Sequence, residues 1–240
     1  YDDLNNFLND RIEAQKKWAD QITFKGERNR IQKINQRRQF IEYQWINIIN
    51  LIKNVYTGKL TYAANFDNYH DVGFWEHLDF VGINAYFQLR NPSVGKLPDS
   101  EMKSVLKENW NIIFDEIETF KIENGIPEKP VLFTELGYVR VADCTIEPWQ
   151  GFGFSIVGSD IFERIILWDN HPLNPNERVL AVDALHEAVL SENFNLDGIL
   201  YWKLTTHSYH LNHEPFVLHI SENPTDSLQN VLLKFLKEED

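Results

Sequence analysis

Glu135 closes the apolar run Pro130-Val131-Leu132-Phe133-Thr134, and three similar runs end on groups that could work beside a carboxylate. Asn65 and Asp67 follow the run that begins at Lys59; Asn84 and Tyr86 close the run that begins at Phe80. Tyr138 lies just beyond Glu135, and Trp202 with Lys203 closes the run that begins at Gly198. One carboxylate among amides, phenols and an indole is the equipment a polyhydroxylated ring requires. The carboxylate serves an anomeric carbon, the amides serve hydroxyls, and the aromatic faces serve C–H edges. A phosphate ligand would instead want a Gly-rich turn or an Arg cluster, and the sequence contains neither.

These residues need a frame that brings the ends of four distant runs together. The runs are continuously apolar rather than alternating, which predicts parallel strands buried on both faces with helices as crossovers. Helical spacing recurs at Phe40, Ile41, Trp45, Ile48, Ile49, Ile52 and Val55, with Gly58 as a stop. Further helices are predicted from Met102 to Lys121, from Glu177 to Leu190 and from Asp226 to Leu236, and a short segment around Phe74–Leu78 precedes the second strand. Trp45, Trp75, Trp110 and Trp168 fall in segments read as helical, where packing is their simplest use. Four strand-helix repeats indicate an α/β fold of barrel or doubly wound type.

Four strands cannot close a (β/α)₈ barrel, and the first and last would keep open edges. Residues 1–36 offer no strand: Leu4, Phe7, Leu8, Ile12 and Trp18 make a thin apolar stripe on a polar, helix-prone segment. The expected fold class is therefore α/β, a TIM (β/α)₈-type barrel of which only the C-terminal four βα units stand in this chain. Residues 1–36 are expected as a separate polar helical segment and 37–240 as the half-barrel. The other half would come from another piece of the protein or from a second subunit. In such barrels functional residues gather at the C-terminal ends of the strands, where the groups above lie.

Composition narrows the partners. A net charge of −13 over 240 residues disfavours nucleic acid and anionic membranes. A neutral glycan is compatible with it. Cys144 is the single cysteine, so no intrachain disulfide and no thiolate metal cluster can form. This fits a reducing compartment and an exported protein equally, and leaves the location open. No apolar run approaches the roughly 20 residues of a membrane span.

Five segments occur in order: Leu60–Phe66, Phe74-Trp75 with Leu78–Phe87, Lys129–Tyr138, Glu147-Pro148-Trp149 and Asp197–Lys203. Together they resemble strands five to eight of the glycoside hydrolase family 113 β-mannanases, over about residues 38–204. The resemblance implies a retaining (β/α)₈ glycosidase with Glu135 as nucleophile, Tyr86 positioning it and Trp202 as an aromatic platform. Asn65, Asn84, Tyr138, Trp149 and Lys203 are the expected substrate contacts, on a polysaccharide or oligosaccharide and without a cofactor. The family's acid/base is a Glu ending the fourth strand, just before the helix read at 38–56. A charged helical stretch, 24–39, stands there instead, and the acid/base is not identified. Glu214 in the loop after the last strand and Glu42 and Glu27 upstream are the remaining candidates.

Each residue also has a plainer reading. Glu135 could cap the next helix or pair with Arg140, and Asn65 could simply form a turn ahead of Asp67-Asn68. Trp149 either stacks on a sugar or pins its loop. His207, His210 and His213 recur at every third position, but no helix imposes the converging geometry of a three-histidine metal site. No metal is expected. If the acid/base is truly absent, the alternative is a non-catalytic carbohydrate-binding or scaffold protein with a degenerate glycosidase barrel.

Overall fold

A computed structural model describes residues 26–151, 153–159, 163–168 and 172–236. The stripe from Leu4 to Trp18 lies outside the described residues. The chain divides into two compact units, residues 1–57 and 58–240.

The first unit contains helix α1, Gly26–Lys53, whose 28 residues run unbroken. The boundary expected between 36 and 37 thus falls inside one helix. The helix begins at Gly26, which is followed by a long stretch free of Gly and Pro. An Arg38–Glu42 pair at 3.4 Å, four residues apart, adds local support.

The second unit is built on a four-stranded parallel sheet. Its strands are β1 (Ala63–Asn65), β2 (Val81–Asn84), β3 (Val131–Leu136) and β6 (Leu196–Tyr201), in that spatial order. All four expected strands are present, each next to its predecessor in the sheet, with β1 and β6 at the edges. Helix α2 (Asp99–Glu123) crosses from β2 to β3, and helix α3 (Pro175–Glu192) precedes β6. A full barrel is not closed by these four strands.

Helix α2 begins with Asp99 and Glu101 in its first turn and has Lys121 in its last, matching the charge of its two ends. Met102, Leu106, Trp110, Ile113, Phe114, Ile117 and Phe120 form one buried stripe at three- and four-residue spacing. Helix α3 starts on Pro175 and ends at Asn193, whose φ of 50° stops it in the left-handed conformation. Its small buried residues Ala181, Ala184 and Ala188 let α2 approach closely enough for Trp110 Nε1 to donate to Ala181 O at 3.2 Å.

One face of the sheet, carrying Ala64, Val81, Ile83, Val131 and Phe133, is buried. Phe133 stacks on Trp110 at 5.8 Å, and Phe114 stacks on Phe194 at 3.9 Å. The opposite face carries Gly82, Leu132, Thr134 and Gly198, and on the edge strand Leu200 remains 58% exposed.

Two additions were not expected from the sequence. An antiparallel hairpin, β4 (Phe154–Val157) with β5 (Ile165–Trp168), follows β3. Trp168 therefore belongs to a strand and not to a helix. Short strands β7 (Leu204–Thr205) and β8 (Leu218–His219) pair after β6. The last predicted helix is α4, Leu228–Leu232, which tightens into a 3₁₀ turn over Leu233–Leu236.

Candidate active site

Parallel register sets the strand ends in one row. Asn65 is opposite Asn84, Asn84 is opposite Glu135, and Leu136 is opposite Tyr201. The register slips by one residue between Ile83 and Asn84, so that Thr134 and Glu135 together face Asn84. Such a bulge breaks the alternation of side chains and re-aims the residue after it. It places Thr134 and Glu135 side by side at the mouth of the sheet.

Tyr86 donates its hydroxyl to Glu135 Oε2 at 2.9 Å. The two backbones are locked as well, since Ala85 N–H donates to Glu135 O at 2.6 Å. Burial pushes the Tyr86 phenol far above its ordinary range, and the hydrogen bond to Glu135 and the charges of Glu135 and Glu214 push the same way. Tyr86 thus remains a protonated donor at any neutral or moderately alkaline pH.

An amide chain lies beside this pair. Thr134 Oγ1 donates to Asn84 Oδ1 at 2.8 Å, and Asn84 Nδ2 donates to Asn65 Oδ1 at 3.1 Å. Asn68 Oδ1 accepts from Asn65 N–H at 3.0 Å, so the turn expected at Asn65 forms and Asn65 also joins the strand-end row.

On the far side, Trp202 N–H donates to Leu136 O at 2.8 Å, and the Trp202–Lys203 peptide is cis. Gly137 makes room for this approach: a Cβ there would sit 2.1 Å from Trp202 O. Trp202 is 42% exposed, and Lys203 Nζ lies 4.9 Å from its ring centre. Lys203 pairs with Glu214, whose other oxygen accepts from Phe216 N–H at 3.4 Å.

The structure therefore brings together Asn65, Asn84, Tyr86, Glu135 and Trp202, with Lys203 beside Trp202. Tyr138 is different: it is fully buried and offers no open face for a ligand. Burial raises its phenol well above the ordinary value and lifts Tyr201 up to about 12. Glu42 and Glu27 lie on α1, in the other unit. The sequence reading missed Thr134 and Gly137; the Thr134 hydroxyl next to Glu135 was the available signal.

Each of the three histidines has a ring nitrogen engaged by the protein. His207 Nδ1 accepts from Tyr209 N–H at 3.1 Å, His210 Nδ1 meets Thr205 Oγ1 at 2.6 Å, and His213 Nδ1 meets Arg164 O. Among the described residues no group of three His, Cys, Asp or Glu could hold a metal ion, and no helix is long and apolar enough to cross a membrane.

Residues 31–155 match the profile of Glycoside Hydrolase Family 113, which is 125 of the 240 residues and includes Asn65, Asn84, Tyr86, Glu135 and Trp149. No curated protein matches. Among solved structures, a family 113 β-1,4-mannanase is similar with a TM-score of 0.55 at 15% identity, covering 82% of this chain and 52% of that one. The β-mannanase AaManA from Alicyclobacillus acidocaldarius, in complex with ManMIm, has a TM-score of 0.49 at 18% identity, covering 81% and 50%. A further family 113 β-1,4-mannanase complex has a TM-score of 0.47 at 17% identity, covering 68% and 40%. The chain spans about half the length of the solved structures it matches or less. The likeness is to an α/β fold of TIM-barrel type.

Proposed function

This chain belongs to glycoside hydrolase family 113, and on that premise we propose that it carries the nucleophile of a retaining glycosidase acting on β-mannan or a related β-1,4-glycan. The observation behind this reading is the Tyr86–Glu135 hydrogen bond at the mouth of the parallel sheet. A donor on Oε2 holds the carboxylate and leaves Oε1 for attack. Glu135 forms a bond to the anomeric carbon as the glycosidic C–O bond breaks and the leaving oxygen takes a proton from a general acid. Water then attacks the glycosyl-enzyme, giving its proton to the same group and freeing Glu135. Asn65 and Asn84 hold hydroxyls, and Trp202 and Lys203 hold the ring at the cleavage point.

In this proposal the second unit, residues 58–240, is the C-terminal half of a (β/α)₈ barrel. Among the described residues no strand pairs with the outer edges of β1 and β6, which supports it, as does coverage of half of a similar structure. Four more strands, from another piece of the protein or a second subunit, would close the barrel and bring the acid/base within about 5–5.5 Å of Glu135, the separation that retention requires. Glu214 is the candidate within this half.

A second reading, a carbohydrate-binding protein without turnover, is favoured by one observation. Glu214, whose charge reaches Tyr86, is already committed to Lys203. Release of reducing sugar from mannan and other β-glycans by the assembled protein separates the two. Activity lost in Glu135→Gln supports the hydrolase, equal activity in both sinks the nucleophile assignment, and binding without turnover supports the second reading.

A further inference from the structure

Thr134 and Glu135 are neighbours in sequence, and the slip in register sets both against Asn84 of β2. A threonine is stiff at χ1, so seating its methyl group also aims its hydroxyl. Here the methyl is seated over β2. Thr134 Cγ2 lies 3.2 Å from the position that a Cβ on residue 82 would occupy, and Gly82 leaves that space open. The hydroxyl is then directed along the strand end, where Thr134 Oγ1 donates to Asn84 Oδ1 at 2.8 Å.

The two ends of a carboxamide have nearly the same shape, so hydrogen bonds decide which way it faces. The Thr134 donor takes Asn84 Oδ1 and turns Asn84 Nδ2 toward β1, where it donates to Asn65 Oδ1 at 3.1 Å. The backbones at both links are fixed. Asn84 O accepts from Phe66 N–H and Tyr86 N–H, each at 3.1 Å, and Asn65 N–H donates to Asn68 Oδ1 at 3.0 Å. Phe66 is held in turn by stacking on Trp149, with centroids 5.1 Å apart, so the indole pins its loop here. The chain of donors therefore runs one way, from β3 through β2 to β1. With Oδ1 engaged, the Nδ2 end of exposed Asn65, which carries two N–H donors, is what remains for a ligand.

We infer that Thr134 is a positioning residue, which fixes the Asn84 carboxamide and through it sets the Asn65 amide nitrogen to grip a sugar hydroxyl by its oxygen. The inference rests on the carbohydrate reading above. Thr134 acts through two asparagines and not on the sugar itself. Because one bulge places Thr134 and Glu135 side by side, the strand that carries the carboxylate also sets the hydroxyl grip two strands away.

Calorimetric titration of the full 240-residue chain with mannohexaose tests this. Thr134→Val keeps the methyl over Gly82 and removes the donor, and it should weaken binding about fivefold. Thr134→Ser keeps the donor and should stay within about twofold of wild type. In an Asn65→Ala background, Thr134→Val should have no further effect, because the end of the chain is gone. The same loss in both backgrounds, or no loss in either, overturns the positioning role while leaving the carbohydrate reading intact. The side-chain amide proton signals of Asn65 and Asn84 give a readout without sugar. They should shift in Thr134→Val and hold in Thr134→Ser, and unchanged signals in Thr134→Val overturn the inference. Failure of wild type to bind mannohexaose overturns the carbohydrate reading and the sugar role of Thr134 with it. Melting curves keep folding separate from binding, and Thr134→Ala, which also lacks the donor, takes the place of Thr134→Val if that variant does not fold.

Discussion

The hydroxyl of Tyr86 reaches Glu135 Oε2 at 2.9 Å across two neighbouring parallel strands, joining residues 49 positions apart. Hydrogen bonds to charged groups contribute about 1.5–3 kcal/mol. If Glu135 is the nucleophile, Tyr86→Phe should lower kcat on mannan by about 10- to 100-fold without unfolding the protein. Steady-state kinetics with a melting curve check this. A change confined to KM would contradict a role in positioning the attacking carboxylate.

The sheet was readable in the sequence because each strand is a continuous apolar run with a chemical group at its end, as with Phe80–Tyr86 and Pro130–Glu135. The row Asn65, Asn84, Glu135, Trp202 followed from placing those ends on one face. What escaped depends on tertiary contact. The bulge at Thr134 is a slip against β2, with no local signature. Arg90, Asp143 and Glu177 are separated by 53 and 87 positions from Arg90 outward, so their cluster is invisible to any window. Trp168 and its neighbours form a short apolar run, which periodicity cannot assign between helix and strand, and the hairpin partner at Phe154 decides it. The boundary drawn at 36–37 falls inside one helix because the polar first half of α1 lacks the apolar stripe of its second half.

Gly137 should be irreplaceable on steric grounds. A methyl group there meets Trp202 O at 2.1 Å and Trp202 C at 3.2 Å, and backbone at a paired strand end cannot swing aside. Overpacking of this kind costs about 1–3 kcal/mol. Gly137→Ala should lower the midpoint of denaturant unfolding accordingly and displace Trp202. Gly95→Ala, where nothing lies within 4 Å, should leave the midpoint unchanged to within about 0.5 kcal/mol.

The Arg90–Glu177 pair is a structural commitment. Both side chains are almost fully buried, at 3% and 4% exposure, and Thr145 and Asp143 satisfy the remaining lone pairs. Removing Arg90 leaves the buried Glu177 carboxylate without a counter-charge, so Arg90→Met should cost about 3–5 kcal/mol, whereas Glu177→Leu should cost less because Arg90 keeps its pair with Asp143. The double variant should recover part of that loss. A double-mutant cycle by urea unfolding measures the coupling, and strictly additive losses would show that the two charges do not sustain one another.

Asp183 on α3 links α2 to the C-terminal turn by pairing with both Lys103 and Lys234. Burial pushes its carboxyl upward, but the two ammonium groups outweigh burial and hold it below the usual carboxylate range. In the unfolded chain the group returns to about 3.9, so the unfolded state binds the proton first as pH falls. The stabilisation is therefore complete above about pH 4 and disappears as pH drops through the lower native value. Lys103 works in the opposite direction. Burial alone would lower it, yet Asp183 and Glu187 raise it, so its contribution is lost only as pH rises beyond the ordinary lysine range. Asp183→Asn should cost about 1 kcal/mol, a figure kept small because Lys103 and Lys234 are partly solvated. Unfolding free energies compared across pH should show that difference constant from about pH 5 to about pH 9 and shrinking toward zero below about pH 4. A difference that persists undiminished in acid would mean that Asp183 acts through packing and not through its charge.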